Sequence, residues 1–192
     1  MELFLLKCAV IESGIRTALA EHGVQRTDAF EAAVDKQLEP LIKQFELSNR
    51  RKALEMARYY EIFYMLENDI RRLIIDTMEA AHGSNWWSQR VPQSVLDEVE
   101  KNKAREAQAG VTARSDDDID YTTFGQLGDI IRHNWPDFAG MLSNEKAVGR
   151  VMSGLNMLRG TIAHCGVLAD DEVDRLKLAI RDWFRILEGP KI

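Results

Sequence analysis

Apolar side chains recur every three or four residues through the stretch from Ser48 to about residue 81. This spacing places them on one face of an α-helix, because a helix turns once in about 3.6 residues. Ser48 is a good N-cap, since its hydroxyl can accept a hydrogen bond from a free backbone N–H of the first turn. The sequence therefore predicts one long helix, with an apolar face of Leu54, Ala57, Phe63, Leu66, Ile70, Leu73 and Ile74.

Other stretches with helical spacing lie on both sides of this helix, separated by caps and breaking residues. Before it, we predict a helix over residues 1–21 that stops at Gly23, and a second helix of about a dozen residues from Thr27 or Asp28 to near Pro40. After it, we predict helices that start at Pro92, at Thr122 or Thr123, after Pro136, at Ser143 or Asn144, and at Asp170 or Asp171. The last helix should stop at Gly189-Pro190.

No stretch of the sequence shows the alternation of apolar and polar residues that is typical of a strand. The fold class is therefore predicted to be all-α. The length of 192 residues suits one domain, or one domain with an appendage. We expect an N-terminal helical extension at 1–47 and a helical bundle at 48–192.

The charge balance limits the kind of partner. A formal net charge of -6 and a pI of about 5.3 argue against a protein that coats nucleic acid non-specifically, because that needs a wide basic surface. A small basic site that handles one nucleic-acid segment at a time is still compatible with this charge.

The first residues, MELFLLKCAV, contain an apolar run that is too short for a membrane span and lacks the cationic start of a signal peptide. Cys8 and Cys165 are far apart in sequence and fit no metal-ligand spacing, so buried or free thiols in a reducing cytosol are the simplest interpretation. We expect a cytoplasmic protein.

Arg159 and His164 are the residue types that a protein would use on a phosphodiester. Five residues on a regular helix turn by roughly 500°, which leaves these two side chains about 140° apart. A shared phosphate would require the helix to begin, end or distort between them, or a second subunit to supply one of the groups. Gly160 and Thr161 are poor helix-interior residues and make a local irregularity plausible. By residue type alone, a surface arginine and a core histidine remain the commoner explanation.

Four blocks of sequence, in the expected order, change this interpretation. They are YYEIFYMLENDIRRLI at 59–74, WWSQRVPQSV at 86–95, DYTTFGQLGDIIRHNWPDF at 120–138 and LNMLRGTIAHCGVLADDEVDRLKLAIRDW at 155–183. Together they resemble the HEPN superfamily (higher eukaryotes and prokaryotes nucleotide-binding), whose hallmark is Arg, four to six residues, then His. The similarity covers about residues 55–188 and is to the branch found in a eukaryotic nuclear RNA-surveillance endoribonuclease and its bacterial relatives.

The resemblance implies a helical bundle that forms a homodimer, in which two Arg-His motifs face one cleft. Catalytic members are endoribonucleases that need neither a metal ion nor a cofactor. His164 would exchange protons with the ribose 2′-OH or the leaving 5′-oxygen, and Arg159 would hold the phosphate. RNA would be cut to a 2′,3′-cyclic phosphate and DNA would not. Growth arrest, phage defence or a toxin–antitoxin pair is the expected setting, with an antitoxin or defence protein as a further partner.

Three other residues are candidates for a supporting role. Asn156 precedes Arg159 by three residues and could share its face, while Glu67 and Arg71 form an i, i+4 pair on the long helix. In the HEPN resemblance an acid on this helix often orients the Arg or His of the motif. The alternative for Glu67 and Arg71 is an ordinary surface salt bridge.

Gly160 departs from the family pattern, because many catalytic members carry a polar residue directly after the Arg. This leaves open a non-catalytic HEPN module that binds a nucleotide, RNA or a protein partner. A third alternative is a scaffold in which residues 1–47 form a hairpin that docks a partner.

Two further patterns are better explained without a functional site. Asp116, Asp118 and Asp120 match the first ligands of a calcium-binding loop, but Tyr121 stands at the glycine position and Leu127 at the final glutamate position. A solvated loop is therefore predicted here, and no metal site. The second pattern is the tryptophans Trp86, Trp87 and Trp135, which could stack on bases. In a helical protein of this size, tryptophans are more often packing residues.

Overall fold

The computed structural model describes residue 36 and residues 38–188, and every regular element there is helical. The predicted all-α class is confirmed. The helices are α1 (Leu47–His82), α2 (Trp86–Arg90), α3 (Gln93–Ala109), a 3-10 turn (Asp118–Tyr121), α4 (Phe124–His133), α5 (Trp135–Phe138), α6 (Glu145–Ala163) and α7 (Asp170–Leu187).

The chain divides into two units, 1–52 and 53–192, and the division falls inside α1. The predicted helix at 1–21 and the caps at Thr27 or Asp28 lie outside the described residues. Residues 38–42 are helical, so Pro40 lies within this helical stretch and not at its end. The predicted boundary between 47 and 48 stays a prediction. None of the helices in the described part of the chain is long and apolar enough to cross a bilayer.

Helix α1 begins one residue before the predicted cap and ends at His82. Its buried positions Phe63, Leu66, Ile70 and Ile74 have the predicted three- and four-residue spacing. Leu54 is exposed, which corrects the prediction that it belongs to the same packed face. The spacing of apolar residues predicts a helix correctly, but it does not show how far along the helix the core extends.

Helix α6, which carries Arg159 and ends just before His164, packs against α4 and α7. Its contact with α4 is close because the facing positions on α4 are glycines. A Cβ atom on Gly128 would lie 3.6 Å from Met152, and one on Gly125 would lie 3.4 Å from the amide of Asn156. The core on these helices includes Phe124, Leu127, Ile131, Leu155, Leu176 and Trp183. This packing fixes the position of α6 within the bundle.

Side-chain caps start two of these helices as predicted. Thr123 and Gln126 form a reciprocal capping box at α4, and Asn144 accepts a hydrogen bond from the backbone of Ala147 at α6. Helix α7 starts differently, since Ala169 is its N-cap and Asp170 is its first residue. Acids in a first turn still stabilise a helix, because they lie close to its positive end.

The stretch 83–91, between α1 and α3, contains the short helix α2. Trp86 is buried there, and Trp87 and Trp135 pack partly buried against the core. His82 Nε2 lies 2.9 Å from Asp137 Oδ2 and so links the end of α1 to α5. This hydrogen bond, helped by the charge of Arg90, holds the pKa of Asp137 below its ordinary value.

Candidate active site

Arg159 is held by an acid on another helix. Its Nε donates a hydrogen bond of 3.0 Å to Oε2 of Glu67, which lies 92 residues earlier on α1. The Glu67 side chain is only 12% exposed and the Arg159 side chain is 35% exposed. The described contacts give the two terminal amino groups of Arg159 no hydrogen-bond partner. Glu67 therefore fixes one edge of the guanidinium and leaves the other nitrogens available.

The other oxygen of Glu67 is used on its own helix. Arg71 Nη2 donates to Glu67 Oε1 at 2.5 Å and also lies 3.3 Å from the carbonyl oxygen of Thr122. Arg71 Nε lies 3.7 Å from Asp120 Oδ1 on the 3-10 turn. A single carboxylate thus accepts from two arginines, and this arrangement compensates the cost of burying it.

These residues form one wall of a cleft with a volume of about 500 Å³. Three arginines and two carboxylates line the cleft, so its formal charge is positive although the whole chain is acidic. The lining residues are Tyr60, Phe63, Tyr64, Glu67, Asn68, Arg71, Arg114, Asp120, Arg159, Ile162 and Ala163. A local cluster of arginines of this kind does not require a basic surface on the rest of the chain.

His164 lies just beyond the end of the motif helix. Helix α6 is continuous through Gly160 and Thr161 and ends at Ala163, with His164 as its C-cap. The expected irregularity near Gly160 is therefore absent, and the helix ends between Arg159 and His164 instead. The His164 side chain is exposed and is not among the residues that line the cleft of Arg159.

The backbone after α6 makes a tight reversal that sets the position of His164. The N–H groups of Cys165 and Gly166 donate to the carbonyl oxygens of Ile162 and Thr161, at 3.0 Å and 2.8 Å. This pair of bonds defines a Schellman motif, and Cys165 occupies its left-handed position with φ of 59°. A Cβ atom on Gly166 would lie 2.7 Å from Thr161 Cγ2 and 2.9 Å from its carbonyl oxygen. Only glycine fits at position 166.

The predicted supporting residues are distributed over two places. Glu67 and Arg71 line the cleft beside Arg159. Asn156 lies on another side of α6, where it lines a separate groove with Gly125 and Gly128 of α4. Three residues on a helix differ by about 60° in direction, which is enough to turn Arg159 and Asn156 toward different neighbours.

Arg114 lines the cleft but was not identified from the sequence. Its Nε donates to Glu106 Oε1 at 2.6 Å, and its guanidinium carbon lies 4.9 Å from the centre of the Tyr121 ring. The hydrogen bond from Arg114 holds the pKa of Glu106 below its ordinary value. Arg114 belongs to an irregular linker, whose path no periodic pattern predicts. Tyr60 and Tyr64, also missed, show an i, i+4 aromatic spacing that could have indicated them.

Two carboxylates of the loop around Asp116–Asp120 pair with basic side chains of the same chain. Lys103 Nζ lies 2.5 Å from Asp118 Oδ1, and this hydrogen bond raises the pKa of Lys103. Asp120 faces Arg71. Among the described residues, no three His, Cys, Asp or Glu side chains are grouped so that they could hold a metal ion.

A comparison with protein families adds a separate finding. The family model described as Swt1-like HEPN matches residues 61–188 of the 192-residue chain. The chain belongs to the HEPN superfamily. The resemblance to the branch with the nuclear RNA-surveillance endoribonuclease is thereby confirmed. No curated protein and no solved structure matches the chain.

The HEPN match includes every residue of the cleft except Tyr60, and it includes His164. Its first residue lies two positions before Phe63, where the buried face of α1 begins. The family match and the buried part of α1 therefore start at nearly the same place.

The ion pair between Glu67 and Arg159 should contribute measurably to the free energy of unfolding. Glu67→Gln is expected to lower the free energy of unfolding by about 1–2 kcal/mol, because two charge-assisted hydrogen bonds become weaker. A double-mutant cycle with Arg159→Ala, measured by urea unfolding, should give a coupling energy of about 1 kcal/mol. The matched control is Asp76→Asn, which breaks the exposed i, i+4 pair with Arg72 on the same helix. Its effect should stay within about 0.5 kcal/mol, and an equal effect at both positions would contradict the buried role of Glu67.

Proposed function

We propose that this HEPN protein is an endoribonuclease that cleaves RNA through attack of the ribose 2′-OH, without a metal ion. The observation that carries the proposal is the presentation of Arg159 by Glu67 at a cationic cleft. The motif Arg159-x4-His164 lies at that cleft and just beyond it, inside the family match.

Arg159 acts as the phosphate clamp. Its Nε is held by Glu67, and its terminal amino groups can donate to two non-bridging phosphate oxygens. These donors gain strength as negative charge develops on the phosphorane, and they are oriented before the substrate binds. Arg71 is a poorer clamp, because Glu67 and Thr122 already engage it.

His164 carries the proton transfers. A neutral imidazole accepts the proton of the 2′-OH while the 2′-oxygen forms a bond to phosphorus. The bond from phosphorus to the 5′-oxygen then breaks, and a protonated imidazole gives that oxygen its proton. The products are a 2′,3′-cyclic phosphate and a 5′-hydroxyl. The two steps need imidazoles in opposite protonation states.

A homodimer supplies both imidazoles. His164 is exposed at the end of α6 and does not line the cleft of Arg159 in its own chain. A second copy that presents its own His164 would complete the site, with two arginines and two histidines across one substrate. Growth arrest, in phage defence or as the toxin of a toxin–antitoxin pair, is the proposed biological setting.

The second candidate function is a non-catalytic HEPN module that binds a nucleotide, RNA or a protein partner. Gly160 favours it, because many catalytic members have a polar residue at this position. In a purely binding module Arg159 would hold a phosphate, and His164 would have no role.

Incubation of the purified chain with single-stranded RNA separates these two candidates. We expect fragments that end in a 2′,3′-cyclic phosphate, detected by mass spectrometry, in the presence of EDTA. An oligonucleotide of the same sequence with a single 2′-deoxy sugar at the cut site should resist cleavage at that site only. Intact RNA under all conditions would exclude the nuclease and leave the binding module.

A further inference from the structure

Two exposed tyrosines lie beside the phosphate-binding arginine. Tyr60 and Tyr64 are one turn apart on α1, and their side chains are 63% and 62% exposed. Their ring centroids are 6.4 Å apart with an angle of 34° between the planes. Both line the cleft that contains Arg159. Packing does not explain why aromatic residues stand at these two positions, because an aromatic ring stabilises the folded state mainly when it is buried away from water.

The helix register relates these rings to the clamp. Tyr60, Tyr64 and Glu67 follow at spacings of four and three residues, so they lie along one face of α1. Tyr64 is about 4.5 Å along the helix axis from Glu67, and Tyr60 is about 10 Å from it. A strand whose phosphate binds at Arg159 can therefore place the adjacent bases near the rings.

Arg114 is a second cation that lines the same cleft. Arg114 is oriented by Glu106 and by the ring of Tyr121, as described above, and its side chain is half exposed. Glu106 and the Tyr121 ring already engage Arg114, whereas Glu67 engages Arg159, so the two guanidinium groups have separate anchors in one cleft. We therefore assign to Arg114 the phosphate of a neighbouring nucleotide.

We propose that Tyr60, Tyr64 and Arg114 form a subsite for the nucleotides that flank the bound phosphate. The tyrosine rings stack on unpaired bases, and Arg114 binds the next phosphate. The occupant is single-stranded RNA, because bases in a duplex are already stacked on each other and hide their faces. This inference rests on the proposed function, since the strand is anchored by the phosphate at Arg159.

The subsite predicts a preference for single-stranded over double-stranded RNA, without a preference for particular bases. Stacking on a tyrosine tolerates every base, because each has a π face. The cation at Arg114 contributes affinity that weakens with added salt, through release of counterions. Cleavage or binding should therefore be strong in loops and unpaired segments and weak in duplexes.

Binding to a catalytically inactive chain tests the subsite separately from catalysis. Fluorescence anisotropy with a labelled ten-nucleotide RNA, on the full chain carrying His164→Ala, measures Kd for each added substitution. Tyr60→Ala and Tyr64→Ala should each weaken binding about 5- to 100-fold, whereas Tyr60→Phe and Tyr64→Phe stay within about threefold. Arg114→Ala should weaken binding and reduce the salt slope by about one. Phe184→Ala, at an exposed aromatic of α7 outside the cleft, is the matched control and should leave Kd unchanged.

Three outcomes would overturn the subsite. One is unchanged binding in the alanine variants, and another is a Phe variant as weak as the Ala variant. The third is a shift of the monomer–dimer distribution in analytical ultracentrifugation, which would assign the tyrosines to a contact between two copies. Intact RNA with tyrosine-dependent binding would overturn only the nuclease, and cleavage without tyrosine dependence would overturn only the subsite.

Discussion

Replacement of His164 by Ala is expected to reduce RNA cleavage by about 10²- to 10⁴-fold, the usual contribution of a positioned acid or base. The fold should tolerate the change. The side chain is exposed, and its hydrogen bonds among the described residues are made by its backbone. The free energy of unfolding should therefore change by less than about 0.5 kcal/mol, as for an ordinary surface substitution. Initial rates on one RNA, together with melting curves, measure both effects.

The matched control is His133→Ala, which removes an exposed histidine from the end of α4 without touching the cleft. Its cleavage rate should equal that of the wild type. Arg159→Lys is the informative partner variant, because lysine keeps the charge and loses the planar fork. We expect it to lose activity by about 10²-fold. Full cleavage activity of the His164→Ala variant would show that His164 takes no part in the proton transfers.

Expression in a host cell extends the same comparison to the proposed biology. Growth arrest by the wild type that is relieved by both His164→Ala and Arg159→Lys favours a toxic nuclease. A host that grows normally with every variant favours the binding module.

Replacement of Gly166 by Ala is expected to destabilise the domain by about 2–4 kcal/mol, which is large for a single methyl group on a loop. The added Cβ would meet Thr161 Cγ2 at 2.7 Å and its carbonyl oxygen at 2.9 Å. The second atom is backbone and cannot rotate away, so the last turn of α6 must shift. Because His164 lies within this turn, cleavage should fall even at temperatures where the variant is folded. Urea unfolding and rates at low temperature measure the two losses.

Cys165→Gly is the control for this prediction. Cys165 has a φ of 59°, a conformation that glycine adopts without steric cost. The substitution should stabilise the motif by up to about 1 kcal/mol and leave cleavage unchanged. Equal stability of the Gly166→Ala variant and the wild type would show that the turn can open at no cost. The Schellman motif would then have no role in placing His164.

The sequence was sufficient for most of the longer helices and for the local pairs. The spacing of apolar residues on α1, the caps Thr123 and Asn144, and the i, i+4 relation of Glu67 to Arg71 all depend on neighbours along the chain. Such local relations are encoded by helix geometry alone. The all-α class follows from them.

The rest depends on how the helices pack. The bond from Arg159 to Glu67 joins residues 92 positions apart, and no periodicity predicts which helices meet. Asn156 was expected beside Arg159, but a rotation of about 60° turns it toward α4. Arg114 belongs to a linker whose course is set by its own contacts with Glu106 and Tyr121. The left-handed turn at Cys165 was not foreseen because that position is usually glycine.

The unbroken helix α1 carries Tyr60, Tyr64, Glu67 and Arg71. Inserting a single residue into this helix would rotate the side chains before the insertion by about 100° relative to those after it. The wall formed by α1 therefore has a fixed spacing that evolution cannot adjust in small steps. The linker that carries Arg114 has no such constraint, since an irregular segment tolerates changes in length. Changes of length that alter the cleft should consequently be concentrated in the linker that carries Arg114.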